Sequence, residues 1–548
     1  MENFKVIIFI LAVLISLSSF IDKLKIPNPV FLVLAGLIIG FVPGLPNLTL
    51  DPDVIFLVFL PPLLYDAAFR TSWHDFKTNI RPISALGITL VFFTTIVVAV
   101  TAHYCIPTMT WPLAFLLGAI VSPPDATAAT GIIKGLGLNK HVISILEGES
   151  LINDASALIV YRYALAASIT GGFLLWQAGL QFLLVAGGGI LIGLAIGYVL
   201  IVIHKRIINH PVVETGLTLL TPFLSYLAAE QLHTSGIVAV VSTGLLLSWR
   251  SQEIFSYRTR MRTSVIWDTL LFLLNGFIFI LIGLQLHGIV KQLTNYRVPT
   301  LIGYGLIISL ATIVVRMIWV FASAYSLGPL NKRFKSTSGN ERYDDWKNVI
   351  IVAWTGTRGV ISMATALALP FTLYNGEVFP QRHLIIFICF VVIFVTLVVQ
   401  GLSLPLLIRL LHVKPSNNED KEEKQLQLHI ANCTLHFIDY EFHPQPKEQI
   451  RIALRAKYEQ LAGKLAKEID THTQNEQEDK QLTVRTLTAM QQAQITIGQF
   501  QRDLLLKLHK DGDFGDTAIR QVEREMDIQD LNLSQLLPKE EDKTRGDG

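Results

Sequence analysis

The sequence predicts an all-α polytopic membrane protein followed by a soluble helical tail. Mean hydropathy is +0.47, and 51% of the 548 residues are hydrophobic while only 16% are charged. Soluble domains carry nearer a quarter charged residues. Apolar runs long enough to cross about 30 Å of hydrocarbon recur up to residue 411 and then stop. We therefore expect a transmembrane domain over 1–411 and a cytoplasmic helical domain over 412–548.

We predict about thirteen transmembrane helices, and the basic residues of the loops orient them. Loops after even-numbered spans hold only Lys291, Arg297 and Arg382, whereas loops after odd-numbered spans are rich in lysine and arginine. The positive-inside rule therefore places the odd-side loops and the tail in the cytoplasm, with the N-terminus outside. The first span is expected to be an uncleaved helix. The predicted spans lie near 4–20, 28–43, 53–69, 82–105, 112–132, 141–168, 178–203, 212–231, 235–249, 264–287, 299–327, 347–371 and 383–411.

Composition and motifs narrow the class of function. A formal net charge of +2 gives no argument for binding nucleic acid. Cys105, Cys389 and Cys433 are too scattered for a disulfide framework or a zinc site. No HExxH or GxSxG motif supports a membrane-embedded enzyme. Ionisable residues inside the spans are therefore the main functional signal.

The fifth span is interrupted by two prolines. Pro123 and Pro124 remove two backbone donors from the middle of the span, and Asp125 follows at once. Proline breaks the helix and frees carbonyls, and broken helices at membrane depth persist where they line a cavity. A simple proline kink is the alternative. The adjacent Asp125 and the hydroxyl of Thr127 favour a functional break.

The twelfth span carries a second interruption. Gly356 and Gly359 bracket Thr357 and Arg358, so the helix is loosened where a guanidinium could neutralise the carbonyl end of a half-helix. Packing of small residues between helices is the alternative. Interrupted segments at corresponding positions of two halves indicate an inverted-repeat transporter with a site near the bilayer midplane.

The sixth span contains the string EGESLINDASALIVYR. Ser150 and Asp154 are four residues apart and share a helix face, and Glu149 and Asn153 share the neighbouring face. A buried carboxyl with no metal and no nearby cation favours its protonated form. That property suits a group that must bind either a proton or a small cation, so Asp154 is the main candidate.

Two further ionisable residues lie in apolar spans. Arg316 has long apolar runs on both sides, so a buried acid partner is expected, and Glu149 is the first candidate. Such a pair could equally be structural, holding the helices together without moving ions. Asp66 follows Pro61 and Pro62 in the third span, and it lies either deep in the site or near the cytoplasmic mouth.

Together these segments resemble the cation:proton antiporter-1 family, which includes NhaP-like bacterial antiporters and animal sodium/proton exchangers. The resemblance covers about residues 4–411 and rests on FLPPLLYDAAF, SPPDATAAT, GESLINDA, the Arg316 segment and GTRGVISMATALALP. It implies the antiporter fold, with inverted repeats and two discontinuous crossing helices. It also implies a homodimer in the bacterial inner membrane that exchanges Na+ or Li+ for H+ by alternating access. The exchange would be electroneutral and would serve intracellular pH and sodium homeostasis, with no cofactor.

The same resemblance assigns roles to the ion-site residues. Asp154 would be the carboxylate shared by Na+ and H+, and Ser150 would help to ligate the cation. Asp125, with the backbone freed at Pro124, would contribute to the site or to its water shell. Asp66 falls where relatives keep an acid at the ion site.

The resemblance also implies a supporting polar cluster. Glu149, Asn153 and Arg316 would form a buried stabilising group, and Arg358 would balance charge at the unwound helices. A K+/H+ exchanger on the same fold is the first alternative, because small changes in cavity size set the choice of cation. A passive channel is a further alternative, and it would conduct current without a proton gradient.

The tail shows two amphipathic patterns. Apolar residues recur at spacings of three and four in 447–470 and in 492–511, which predicts helices there. The stretch 471–480 is polar and charged, as in a linker. A regulatory module, a dimer-stabilising module and a solvated appendage all fit this pattern.

Overall fold

The computed structural model is almost entirely helical in the part of the chain that it describes, with one isolated β-bridge there between Thr372 and Val378. Clustering of contacts divides the chain into two compact units. The first comprises Met1–Thr71, Phe76–Arg250 and Thr263–Pro415, and the second comprises Ser72–Asp75, Ser251–Arg262 and Ser416–Gly548. The described residues are 2–21, 28–41, 52–125, 140–170, 175–206, 210–293, 296–326, 346–373, 377–412, 418–443, 448–470, 484–512 and 514–536.

Fifteen helices occupy the described residues up to Leu410. Two of them, α5 and α15, each contain a π-helical turn, at Ala85–Thr89 and at Leu397–Gly401. In order they are α1 Glu2–Ile21, α2 Asn28–Gly40, α3 Pro52–Arg70, α4 Trp73–Thr78, α5 Ile80–Cys105, α6 Trp111–Val121, α7 Lys140–Thr170, α8 Leu175–Arg206, α9 Pro211–Gln231, α10 Gly236–Ile254, α11 Tyr257–Gln292, α12 Val298–Ser326, α13 Trp346–Trp354, α14 Val360–Leu367 and α15 Arg382–Leu410.

Length and apolar composition identify the membrane-crossing elements. Within the described residues, six helices are long and apolar enough to cross a membrane: α5, α9, α12, α15, and the greater parts of α8 and α11. Shorter apolar helices lie at Lys5–Ser18, Asn28–Gly40 and Trp111–Val121. The prediction of an all-α polytopic membrane protein is confirmed, and the total of thirteen spans stays a prediction.

Helix α12 exposes apolar side chains and buries polar ones, which is the reverse of a surface helix in a soluble protein. Leu310 is 63% exposed and Ile318 is 58% exposed, whereas Ser309, Thr312 and Arg316 are buried. The hydroxyls bond within the helix, with Ser309 Oγ donating to the Gly305 carbonyl at 2.7 Å. An apolar face turned outward suits contact with lipid tails, so the polar face of α12 is directed into the bundle.

A glycine fixes how α5 packs on α7. Gly87 lies in the π-helical turn of α5, and a Cβ atom there would come within 2.7 Å of the Ile152 side chain and 3.3 Å of the Asn153 backbone nitrogen. Only glycine therefore permits this approach. The close contact places the backbone of α5 against α7 at Ile152 and Asn153, one turn after Gly148. The candidate polar residues lie in this part of α7.

The second unit contains four tail helices, which confirms the predicted helical tail. Its two apolar clusters are formed around Leu426, Ile430 and Ile519, and around Ile438, Leu454 and Ile497. A π-helical turn at Phe437–Glu441 follows the first tail helix. The helices are α16 Asn418–His436, α17 Glu448–Asp470, α18 Val484–Asp511 and α19 Asp516–Leu536.

Ion pairs join the tail helices to the segment Ser251–Arg262 within this second unit. Arg260 binds Asp527 through both carboxylate oxygens, at 2.7 and 3.1 Å, and lies 3.2 Å from Glu523. Arg502 of α18 shares the same Asp527, at 2.8 Å. Asp527 is therefore held by two guanidinium groups, and the start of α11 is tied to α19.

A second group of polar contacts, centred on Asp516, joins the tail to the segment Ser72–Asp75 within the second unit. Asp516 accepts hydrogen bonds from Ser72 Oγ at 2.7 Å and from His509 Nε2 at 3.1 Å. Burial opposes the charge of Asp516, but the hydrogen bonds from His509 and Ser72 outweigh it and lower its pKa from 3.8 to about 2. A carboxyl whose pKa falls on folding stabilises the folded state above its unfolded pKa, and that stabilisation is lost as the pH falls through the folded pKa.

We expect Asp516→Asn to destabilise the second unit by about 2 kcal/mol at neutral pH. Limited proteolysis of the full-length protein over a urea series at pH 7 measures the deficit. The control is Asp503→Asn, since Asp503 is exposed on α18. Equal protease resistance of the Asp516 and Asp503 variants at pH 7 would contradict the stabilising role.

Candidate ion-binding site

Two helices of the first unit stop where the sequence predicts interruptions. Helix α6 ends at Val121, and residues 122–125 are not helical. Helix α13 ends at Trp354, and residues 355–359 separate it from α14. The second half of the fifth predicted span, with Thr127, lies outside the described residues. The predicted interruption of the twelfth span is confirmed, and the fifth span stops at the predicted prolines.

The two interrupted segments cross and are joined by a reciprocal pair of hydrogen bonds. The Asp125 backbone N–H donates to the Thr357 carbonyl at 2.6 Å. The Thr357 hydroxyl donates to the Asp125 carbonyl at 2.8 Å. Backbone groups freed by helix breaks must find partners away from water. Here each break supplies partners for the other, which fixes the crossing point.

Arg358 binds the carbonyl end of the opposite half-helix. Its Nε donates to the carbonyl of Val121, the last residue of α6, at 2.9 Å, and its Nη1 donates to the Gly356 carbonyl. Its backbone N–H donates to the Thr396 hydroxyl at 3.1 Å. The C-terminal end of a helix carries a partial negative charge. The buried guanidinium of Arg358 therefore lies against the negative end of α6.

Arg316 makes the corresponding contact at the end of α13. Its Nη2 donates to the Val352 carbonyl at 3.1 Å. Its two terminal nitrogens also bind the two carboxylate oxygens of Glu149, the second at 3.1 Å. Both side chains are buried, with 1% and 2% of their surface exposed. A buried arginine thus donates a hydrogen bond to the carbonyl end of each interrupted helix. Arg316 also binds a carboxylate, that of Glu149.

Helix α7 links this charged cluster to the break in α6. Asn153 is fully buried, and its Nδ2 donates to the Pro124 carbonyl at 2.9 Å. Asp154 follows, 7% exposed, and its carboxyl interacts electrostatically with that of Asp125. Ser150 lies one turn earlier on the same face of α7. The structure therefore brings Asp154, Asp125 and the Pro124 backbone to one place.

Asp66 has a different set of neighbours. It lies in the last turn of α3, where Arg70 Nε donates to its carboxylate at 2.7 Å. Arg70 Nη2 also donates to Asp268 of α11 at 2.6 Å. Arg70 is 49% exposed and Asp268 is 57% exposed, whereas Asp66 is 13% exposed. This exposure favours the mouth over the deep site as the position of Asp66.

The structure adds two residues that the sequence pattern did not single out. Thr396 and Gln400 lie one turn apart on α15, and Gln400 lies within the π-helical turn. Gln400 is 1% exposed, and neither polar atom of its amide has a hydrogen-bond partner among the described residues. Single hydroxyls and amides in a long apolar run resemble ordinary helix-packing residues. The π-helical turn, which often marks functional segments, could not be predicted from the sequence pattern.

Gly359 is required by the close approach of Asp125. A Cβ atom at this position would lie 1.6 Å from the Asp125 carboxylate oxygen Oδ2, which is a severe overlap. We expect Gly359→Ala to displace that carboxylate and to lower the rate of the ion exchange that the resemblance implies on the order of 10²-fold, as small misplacements at reactive sites do.

The matched control for Gly359→Ala is Gly303→Ala in α12, because a Cβ atom there meets nothing within 4 Å. Both variants should insert equally well. Exchange is measured in vesicles after normalising for the amount of membrane-inserted protein. A Gly359→Ala protein that exchanged ions as fast as the Gly303→Ala protein would show that the position of Asp125 is unimportant.

Crossed discontinuous helices with a buried carboxyl beside the crossing define an ion transporter of the antiporter fold. Residues 8–410 match the family model described as sodium/hydrogen exchanger, transmembrane. The chain therefore belongs to the sodium/hydrogen exchanger family, as the resemblance to cation:proton antiporters predicted. It is a multi-pass membrane protein.

Individual relatives agree with this assignment. A sodium, potassium, lithium and rubidium/H+ antiporter of Bacillus pumilus is 33% identical over 80% of this chain, and the match spans 64% of that relative's length. A protein of Mycobacterium tuberculosis that is named as an uncharacterized Na+/H+ exchanger is 30% identical over 93% of this chain and 92% of its own. The solved sodium proton antiporter MjNhaP1 of Methanocaldococcus jannaschii has the same fold, with a TM-score of 0.56 and 23% identity over 75% of this chain and 100% of its own.

Proposed function

We propose that this protein is a secondary active antiporter that exchanges Na+ for H+ across the cytoplasmic membrane. The observation that carries the proposal is the position of Asp154, a nearly buried carboxyl on α7 that is adjacent to Asn153 and the α6 break. The charge of Glu149 is already neutralised by Arg316. Asp154 is thus the acid of α7 that lies beside the α6 break and is not neutralised by Arg316.

In the proposed cycle, Asp154 binds either a proton or the cation. Na+ prefers oxygen ligands, and the carboxylate, hydroxyl and carbonyl groups here supply only oxygens. Asp154 and Ser150 bind the cation, and Asp125 and the Pro124 backbone complete the site or its water shell. A rigid-body shift of the site-bearing helices then exposes the site to the other side of the membrane.

One exchanging carboxyl implies electroneutral one-for-one exchange. The cation-bound and the protonated forms of Asp154 carry the same charge, so neither half-cycle moves net charge against the membrane potential. Moving one charge against it would cost about 2.3 kcal/mol per 100 mV. This count requires Asp66 and Asp125 to keep one protonation state.

The setting of this activity is part of the proposal. The N-terminus lies outside and the tail lies in the cytoplasm, as the basic loops indicate. The domain boundary lies near residue 411, and the chain acts as a homodimer in the bacterial inner membrane. The tail regulates exchange, a role supported by the bonds within the second unit that hold Ser72, which follows α3, and Arg260, in the first turn of α11. The activity serves pH and sodium homeostasis.

A pH-gradient dequenching assay in everted vesicles tests the proposal. Vesicles containing the protein should release their proton gradient when Na+ or Li+ is added, and vesicles without it should not. Dequenching that needs no added cation would indicate a proton leak. Current in the absence of a proton gradient would favour the passive channel.

K+/H+ exchange is a second candidate, favoured by the name of the Bacillus pumilus relative, which includes potassium and rubidium as well as sodium. The same vesicles tested with K+ decide it. A response to K+ at concentrations where Na+ gives none would establish K+ as the preferred cation on this site.

A further inference from the structure

Arg70 lies between two carboxylates that belong to different helices. It ends α3, and it binds Asp66 of its own helix at 2.7 Å and Asp268 of α11 at 2.6 Å. Ser264 Oγ approaches the other oxygen of Asp268 at 3.4 Å. We propose that Arg70 is a tethered competitor for the transported cation: it occupies Asp66 when no cation is there and withdraws to Asp268 when one arrives.

The backbone around Arg70 is held in place, so a change of partner involves its side chain alone. The hydroxyl and the backbone N–H of Thr71 both bond the Ala67 carbonyl, at 2.8 and 3.2 Å. The Thr71 carbonyl accepts a hydrogen bond from Ser248 of α10 at 3.2 Å. The side chain of Arg70 is half-exposed and long enough to reach either acid.

The register between α3 and α11 is also fixed. The ring of Tyr65 packs on that of Trp267 with centroids 5.2 Å apart. These two residues directly precede Asp66 and Asp268 in the sequence. The two carboxylates therefore keep their separation while the guanidinium moves between them.

Charge balance gives this arrangement its function. Asp66, Asp268 and Arg70 carry a net charge of −1 when all three are ionised. One monovalent cation makes the group neutral, so its arrival is favoured. A half-exposed ion pair contributes little to stability, so an incoming cation can displace Arg70 from Asp66. Asp66 is the most buried of the three and is left with a positive partner in both arrangements.

This inference rests on the proposed cation exchange, and it places Arg70 as a residue that sets the apparent affinity at the cytoplasmic mouth. Arg70 acts through its occupancy of Asp66. Removing the Arg70 guanidinium should make cation binding tighter. Removing the Asp268 carboxylate should leave Arg70 on Asp66 and make cation binding weaker. A residue with only a structural role would not give two changes of opposite sign.

The test measures the KM for Na+ and the maximal rate separately in everted vesicles, whose outer face is the cytoplasmic one. Arg70→Gln should lower the KM about fivefold, a change equivalent to ~1 kcal/mol. Asp268→Asn should raise the KM by a similar factor. Both variants should keep a maximal rate near that of the wild type. The control is Lys77→Gln, which removes an exposed positive charge of α4 and should leave the KM unchanged.

The double variant Arg70→Gln/Asp268→Asn separates competition from a general field effect. It carries the net charge of the wild type, so a field effect alone predicts the wild-type KM. Competition predicts a KM that stays below that of the wild type, because the tethered cation is gone. A wild-type KM in the double variant, or KM shifts of the same sign in both single variants, would overturn the proposal. Absence of cation-dependent exchange in the wild type would instead overturn the proposed function.

Discussion

Asp154→Asn is expected to reduce cation-dependent proton movement to the level of vesicles that lack the protein. The amide has the shape of the carboxyl, but it neither releases a proton nor carries the charge that binds Na+. Because the side chain is only 7% exposed on a well-packed face of α7, the substitution should leave the fold intact. The measurement is dequenching in everted vesicles, normalised to inserted protein.

A conservative variant and a control variant help to interpret the result for Asp154→Asn. Asp154→Glu keeps a titratable carboxyl, displaced by one methylene group, so it should retain measurable exchange with an altered KM. Asp439→Asn makes the same carboxyl-to-amide change in the tail, where the side chain is 26% exposed, and should exchange ions like the wild type. Exchange by Asp154→Asn at a rate near that of the wild type would remove Asp154 as the carrier.

The second large effect is expected at the buried pair of Glu149 and Arg316. Glu149→Gln would leave the Arg316 guanidinium buried without its carboxylate, and breaking a buried pair in this way costs about 3–5 kcal/mol. We expect a clear fall in thermal stability in detergent and a loss of folded protein. The measurement is the fraction of monodisperse protein that remains after heating.

Replacing both members of the pair tests whether its role is structural. Glu149→Leu/Arg316→Met removes both charges, so no buried charge is left unpaired, and apolar replacements of such pairs are often neutral. We expect the double variant to be more stable than Glu149→Gln. A double variant less stable than Glu149→Gln would show that the Arg316 bond to the Val352 carbonyl is the more important contact.

Sequence reasoning located the interruptions because their causes are local. Two adjacent prolines cannot continue a helix, so the break before Asp125 follows from covalent chemistry. A lone arginine in a long apolar run needs an acid, and Glu149 is the partner that the structure gives to Arg316. The fold class followed from these signals together with hydropathy, and the family followed from the resemblance of the motifs. Their roles in binding the cation stay predictions.

Other parts of the site depend on contacts between distant segments, which no local pattern encodes. Thr357 and Asp125 are separated by 232 residues, and the need for Gly359 becomes apparent only when the Asp125 carboxylate lies against it. Asp268 stands near the start of a predicted span, where an acid resembles an ordinary interfacial charge. Its bond to Arg70 could not be predicted, because it depends on how α11 packs beside α3.

The composition of the second unit changes what a shortened chain would mean. Arg260 lies in the first turn of α11 and Ser72 lies just after α3, yet their acid partners Asp527 and Asp516 are both in α19. Cutting the protein after residue 412 would remove both acids, so the Arg260 guanidinium and the Ser72 hydroxyl would lose these partners. Lost transport in such a truncation would therefore reflect unsupported helix ends as much as a missing regulator, whereas point substitutions in α19 would separate the two causes.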